Sequence, residues 1–238
     1  MEETCIRAQG LSKAYSTGES VTPVLQQVGL EVRRGECLFL VGPSGSGKTT
    51  LLSILGCILS ADSGRLEICG TDVTGYSSTE QARFRREKLG FVFQKYHLFD
   101  ALTALENVQI AYSLLKTDKL QARQQSLELL DRVGLLEKAD SRINHLSMGQ
   151  RQRVALARAL AGNPELILAD EPTASLDAES GLNAMRILKD LCRSLQKTVV
   201  VVTHDSRIFP MADRILNLSN GRLASQAVPG REHPGSAA

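Results

Sequence analysis

The sequence has no marked excess of charge of either sign. Its 28 Lys and Arg face 26 Asp and Glu, a formal net charge of +2 over 238 residues. That balance excludes a chain that holds nucleic acid by bulk charge. Basic residues gather locally at Arg83, Arg85, Arg86 and Lys88, a grouping that reads as a solvated helix face. Cysteine is scarce and shows no ligand pattern. The five cysteines, at 5, 37, 57, 69 and 192, make no C-x-x-C pair, which argues against structural zinc and a disulfide framework and for reduced thiols in the core. Met1-Glu2-Glu3 is followed by no basic-then-apolar leader, so no signal peptide is expected. Long hydrophobic runs are missing too. The longest apolar stretch, Leu51 to Leu59, is interrupted by Ser53 and Gly56 and is far too short to span a bilayer. No internal repeat is found. The expectation is a cytosolic chain that reaches a membrane only through a partner.

What is present is an ordinary globular composition, 42% hydrophobic and 23% charged, at a length that suits one large domain. Short, nearly continuous apolar runs recur at Cys37–Val41, Leu89–Phe93, Leu166–Ala169 and Thr198–Val202. Such runs are how strands covered on both faces of a mostly parallel sheet look. Helical stretches lie between them: Gly47–Leu59, Leu120–Val133 ended by Gly134, and Ser175–Leu195. Residues 95 to about 158 hold no strand candidate and read as a helical insertion. The tail from Ala227, rich in Pro, Gly and small residues, reads as flexible.

Three stretches carry chemistry. The first is Gly42-Pro43-Ser44-Gly45-Ser46-Gly47-Lys48-Thr49, followed by Thr50, between a strand and a helix. That context makes G-x-x-x-x-G-K-T a phosphate-binding loop. Its glycines let backbone N–H groups close around phosphate oxygens, Lys48 neutralises them, and Thr49 offers a hydroxyl to Mg²⁺. The second is Leu166–Pro172, a buried strand that ends in Asp170 and Glu171. Ligands in open α/β sheets bind at the carboxyl ends of strands, so Asp170 is placed to hold Mg²⁺ and Glu171 to polarise an attacking water. The third is His204, just past the strand Thr198–Val202, placed to donate to a γ-phosphate. Leu146–Leu160 adds a capped amphipathic helix, whose N-terminus is a second potential anion site.

Together these stretches resemble the ATP-binding subunits of ABC transporters over about residues 5 to 225, with the motifs in the family's order. GPSGSGKT resembles Walker A, Gln94 the Q-loop glutamine, LSMGQ (Leu146–Gln150) the signature, LILADE Walker B with its catalytic glutamate, Ser175-Leu176-Asp177 the D-loop, and His204 the switch histidine. Tyr15 stands where the family places a ring that stacks on adenine. The resemblance implies an α/β fold: a P-loop NTPase (RecA-like) core with an antiparallel β subdomain and an inserted α-helical subdomain. It implies one nucleotide-binding domain over 1–226, with a catalytic core at about 1–94 and 159–226, a helical subdomain at about 95–158, and a tail at 227–238.

The resemblance further implies ATP and Mg²⁺ as cofactors, the metal held by Thr49, Gln94 and Asp170. It implies catalysis by Glu171, His204 and Lys48, a head-to-tail homodimer in which Ser147 and Gly149 of one copy meet the ATP of the other, and Gln150 and Asp177 as further nucleotide-binding residues. Lys88–Val108 and the stretch around His204 are similar to the macrolide-export and lipoprotein-release branch (MacB/LolD/DevA-like). That branch implies an integral-membrane permease and a membrane-fusion protein as partners, no nucleic acid, and a place on the cytoplasmic face of the inner (plasma) membrane. An importer ATPase and a cell-division-type regulatory ATPase stay open. A chromosome-structuring ATPase would need a long coiled coil between Gln94 and Leu146, and a translation factor two nucleotide domains. Met148 departs from the family's glycine, which can take a positive φ; Met prefers ordinary φ and adds bulk.

Overall fold

The structure, a computed structural model, describes residues 3–18 and 20–224. The strands in chain order are β1 (Thr4–Thr17), β2 (Ser20–Arg33), β3 (Cys37–Val41), β4 (Ser63–Ile68), β5 (Thr71–Asp72), β6 (Leu89–Val92), β7 (Leu166–Asp170), β8 (Thr198–Val202), β9 (Arg214–Ser219) and β10 (Arg222–Leu223). The helices are α1 (Lys48–Leu55), α2 (Ser78–Lys88), α3 (Ala104–Leu114), α4 (Lys119–Arg132), α5 (Met148–Leu160) and α6 (Ala178–Ser194). Two sheets form. An antiparallel one has the order β2-β1-β4-β5, and a six-stranded one the order β10-β9-β3-β8-β7-β6, parallel except for the β9–β10 hairpin.

β3, β7 and β8 are buried almost throughout because both faces of the parallel sheet are covered. Side chains alternate between faces along a strand. Leu38, Leu40, Leu166, Leu168, Val200 and Val202 therefore join one core with α1 and the antiparallel sheet. Phe39, Ile167, Ala169, Val199 and Val201 join the other, with α3 to α6. The architecture is the expected α/β one: a RecA-like core, an antiparallel β layer, and a helical segment between β6 and β7. No helix among the described residues is long and apolar enough to cross a membrane.

Several boundaries move for local reasons. α1 stops at Leu55 rather than Leu59, because Gly56 caps it and Cys57 turns left-handed at φ 51. α6 starts at Ala178 rather than Ser175, because the Asp177 carboxylate accepts the Ser180 N–H and fixes the cap. The insertion is helical as expected, with α5 running on to Leu160 and one isolated bridge, Thr103 to Arg142. The basic group on α2 is only half a solvated face. Arg83 and Arg86 are exposed, but Arg85 donates to the Cys57 carbonyl and Lys88 pairs with Glu165 at 2.5 Å. All five cysteines are free, and burial pushes the thiols of Cys37 and Cys192 up to about 12 and that of Cys57 to about 11. The tail expected at 227–238 lies outside the described residues.

Candidate nucleotide site

The glycine loop leaves β3 pressed against β9. A Cβ on Gly42, at φ 150, would stand 2.0 Å from the Leu218 carbonyl oxygen, so only glycine fits. Gly47, at φ 101, caps the N-terminus of α1, and a Cβ there would lie 2.8 Å from the Val24 carbonyl oxygen. No acidic residue occupies the first turn of α1. Its free N–H groups and dipole therefore present an uncompensated positive end. Lys48 is nearly buried and folds over the loop, donating to the Gly42 and Pro43 carbonyls at 2.8 and 2.9 Å.

Around the loop lies a cleft of about 740 Å³, lined by Tyr15, Val24, Gly42, Pro43, Ser44, Gly45, Gly47, Lys48, Thr49, Thr50, Gln94, Glu171 and His204. Sequence reasoning named all of these but Val24, which lies on β2 in a stretch with no motif. Ser46 is part of the loop but turns inward, buried, its Oγ without a hydrogen-bond partner.

Asp170 and Glu171 arrive at the cleft from the carboxyl end of β7. Asp170 Oδ1 is buried and has no hydrogen-bond partner. Burial raises this carboxyl above the usual range and the neighbouring Glu171 charge adds to the rise, while the Thr49 hydroxyl and Lys48 pull it down. An orphaned buried carboxylate oxygen close to a threonine hydroxyl is an oxygen pair that suits a hard cation. Glu171 sits at φ 46, held by its N–H to the Val202 carbonyl at 2.9 Å. Its carboxylate meets His204 Nδ1 at 2.7 Å and accepts the His204 N–H at 3.3 Å. The imidazole is 72% exposed and the carboxylate 16%. A carboxylate and an imidazole thus touch at the mouth of the phosphate loop.

The loop that carries His204 is anchored by Asp205. Its carboxylate takes a two-point bond from Arg207, both at 2.7 Å, and accepts the Thr173 hydroxyl at 2.9 Å. The Arg207 hydrogen bond, aided by Thr173 and opposed by burial, holds this carboxyl at about 2. A depressed carboxyl contributes stability that is present above its unfolded value, near 4, and is lost as pH falls towards 2. Acid titration of folding should therefore show wild type losing more stability than Asp205→Asn between pH 4 and pH 2. Parallel curves would count against this anchor.

The helix that opens at Ser147 is capped as expected. Ser147 Oγ accepts the Gln150 N–H at 3.2 Å, and Gln150 Oε1 accepts the Ser147 N–H at 2.9 Å. Gln150 is thus engaged with its own helix. Met148, 57% exposed, is the first residue of α5 and is not among the left-handed positions. Within the chain nothing at 148 calls for a glycine. Ser147, Gly149, Gln150 and Asp177 do not line the cleft.

Two tethers of α5 carry no motif; of the two residues, the sequence points only to Arg158, as part of the packing of this helix. Gln152, fully buried, donates to the Pro172 carbonyl at 2.9 Å just past Glu171. Arg158 donates to the carbonyls of His97 and Tyr96 at 2.5 and 2.6 Å, and those two residues stand at φ 48 and 58, three and two positions after Gln94. Arg158→Ala should cost about 2–3 kcal/mol by urea unfolding, since a charged donor to two carbonyls is lost. Arg158→Lys should recover only part, for lack of the planar fork. A loss below about 0.5 kcal/mol would show the tether to be idle.

Fold and cleft together define a P-loop protein that binds nucleoside triphosphate. The model of the family described as ABC transporter matches residues 25–174. The chain is 42% identical over 227 residues to the lipoprotein-releasing system ATP-binding protein LolD of Shewanella sp. (strain MR-4), covering 95% of this chain and 98% of that protein. It is 41% identical over 222 residues to the macrolide export ATP-binding/permease protein MacB of Photorhabdus laumondii subsp. laumondii, covering 93% of this chain but 34% of that longer protein. The dimeric post-hydrolysis structure of the ATP-binding cassette MJ0796, bound to ADP and Pi, superposes with a TM-score of 0.85 at 39% identity, over 94% of this chain and 98% of that one. The chain belongs to the ABC transporter family, as an ATP-binding and ATP-hydrolysing member of the LolD and MacB type.

Proposed function

We propose that this chain is one half of a head-to-tail homodimer that closes on two ATP molecules and drives an integral-membrane permease in export or mechanotransmission. The observation that carries this reading is the separation of two helix starts within one chain, one with no side-chain cap at the cleft and one capped outside it. α1 opens into the cleft, whereas Ser147, Gly149 and Asp177 stand outside it. The exposed start of α5 can take an anion and is open to one held by a second chain. A second copy supplies it, so each ATP lies between one copy's Gly42–Thr50 loop and the other's Ser147–Gln150. The relative solved as a dimer with ADP and Pi supports a dimeric state.

In this reading Tyr15, 44% exposed, stacks on adenine. Lys48 leaves its loop carbonyls for the phosphates. Glu171 takes a proton from the attacking water, and His204 donates to the γ-phosphate while its other ring nitrogen stays on Glu171. Thr49, Gln94 and Asp170 would hold Mg²⁺, which when bound neutralises charge on the phosphate oxygens. Residues 1–226 form the nucleotide-binding domain, with 95–158 as its helical part. The chain sits on the cytoplasmic face of the inner membrane, bound to its permease, with a membrane-fusion protein as a further partner.

Purifying the intact membrane complex and identifying its subunits tests the export reading. An importer-type permease with a binding protein would sink it. Met148→Gly tests the signature. The swap should cost about 1 kcal/mol of helix stability and leave turnover within a few-fold. A wild type that is silent even with its permease, and is revived by Met148→Gly, would overturn the prediction of an active enzyme.

A further inference from the structure

Away from the nucleotide cleft, two thiols face each other. Cys5 lies on β1, and Cys69 is the first residue of the two-residue turn that joins β4 to β5. The β1–β4 register pairs Ile6 with Ile68, which sets Cys5 opposite Cys69, and the Cys69 N–H donates to the Cys5 carbonyl at 2.6 Å. The sulfurs are 3.3 Å apart. Residues directly opposed on antiparallel strands have Cα atoms about 4.5–5.5 Å apart, inside the span a disulfide bridges. Cys69 also stands at φ 50 before Gly70 at φ 76. That is the turn type that selects Asn, Asp or Gly at this position, so turn formation does not explain a cysteine here.

From this juxtaposition we propose that Cys5 and Cys69 are a peroxide-responsive pair that closes to an intramolecular disulfide under oxidation and reopens with thiol. Access and the sulfur contact support it. Cys5 is 1% exposed, but Cys69 is only half-buried and offers the oxidant a path. The hydrogen bond from Cys69 lowers the Cys5 thiol from its ordinary value, against burial, with help from the Thr198 hydroxyl and the Arg34 guanidinium. The same bond and burial raise Cys69. Cys37, Cys57 and Cys192 are buried; Cys37 and Cys192 line one pocket, but none of the three makes a hydrogen bond to another sulfur among the described residues.

The chemistry balances with hydrogen peroxide alone. The thiolate of Cys69 attacks one peroxide oxygen, the O–O bond breaks, and the leaving hydroxide takes a proton to become water, leaving a sulfenic acid. The Cys5 thiolate then attacks the sulfenic sulfur and displaces a second hydroxide, which leaves as water with the remaining proton. Two thiols and one peroxide give one disulfide and two waters. The closed loop, 5 to 69, encloses the whole phosphate loop and fixes β1 to the β4–β5 hairpin.

The full-length chain, treated with a small molar excess of hydrogen peroxide and then denatured, should show its free thiols fall from five to three. It should lose two hydrogen atoms in mass, yield a peptide joining Cys5 to Cys69, and return to five thiols with dithiothreitol. The oxidised chain should melt about 5–10 °C higher, as a cross-link closing a long loop does. Cys5→Ser should instead accumulate sulfenic or sulfinic acid on Cys69 with no cross-link. Five persisting thiols overturn the proposal. So do bridges between chains, a bridge to another cysteine, or sulfinic acid on Cys69 in the wild type.

Discussion

Substitution of Glu171 by Gln is expected to lower steady-state ATP turnover by about 10²–10⁴-fold, the range a positioned general base supplies, while ATP-dependent dimers survive. The swap removes basicity and one of two contacts to His204. Gln keeps the length of the side chain and one acceptor oxygen, for the His204 ring now at 2.7 Å or the His204 N–H now at 3.3 Å. The backbone of residue 171 is fixed at φ 46 by the bond from its N–H to Val202, and that bond does not depend on the side chain. The fold and the cleft should be intact. The two halves of the outcome need separate measurements: phosphate release for turnover, and size-exclusion chromatography with and without ATP and Mg²⁺ for dimerisation. Unchanged turnover removes Glu171 from the mechanism. Lost dimers with lost turnover place it in nucleotide binding instead. His204→Ala should fall between wild type and Glu171→Gln, because it removes the donor but leaves the base.

Legibility in the sequence follows burial. β3, β7 and β8 could be read because a strand covered on both faces must be apolar throughout. β1 and β2 could not be read from pattern. Their pairing carries register shifts at Thr4/Ile6, Ala8/Leu11, Leu11/Lys13 and Lys13/Ala14, and each shift breaks the two-residue alternation that marks a strand. The antiparallel layer was expected only through the family resemblance. The cleft was legible because phosphate chemistry needs fixed residue types at fixed spacing. Its supports were not. Arg158 acts on backbone carbonyls about sixty positions away, which any residue could provide, and Cys69 meets Cys5 only because a hairpin turn falls opposite β1. Met148 shows the opposite limit. It breaks a familiar motif, yet the helix it opens holds it in ordinary right-handed geometry, so the bulk it adds bears on what docks there rather than on the fold of its own chain.

Gly149→Asp should suppress turnover about as strongly as Glu171→Gln, but by the opposite route: nucleotide binding to the single chain stays near wild type while ATP-dependent dimers are lost. Gly149 is the second residue of α5. A Cβ there would lie 3.3 Å from Ser180 Oγ, close enough that the serine must give slightly. A carboxylate in a first helical turn favours the helix by about 0.3–1 kcal/mol, so the chain should fold. The same negative charge then occupies the anion site meant for the partner's ATP, and like charges in a site with little water repel strongly. Gly149→Ala, with the same contact and no charge, should lose far less. Mixing decides whether the site is shared between chains. Gly149→Asp has an intact phosphate loop, and Lys48→Ala has an intact signature. Each alone should be inactive. Together, heterodimers rebuild one composite site from the two intact halves, so random pairing should restore about a quarter of wild-type turnover. If both motifs served ATP within one chain, the mixture would stay as inactive as its parts.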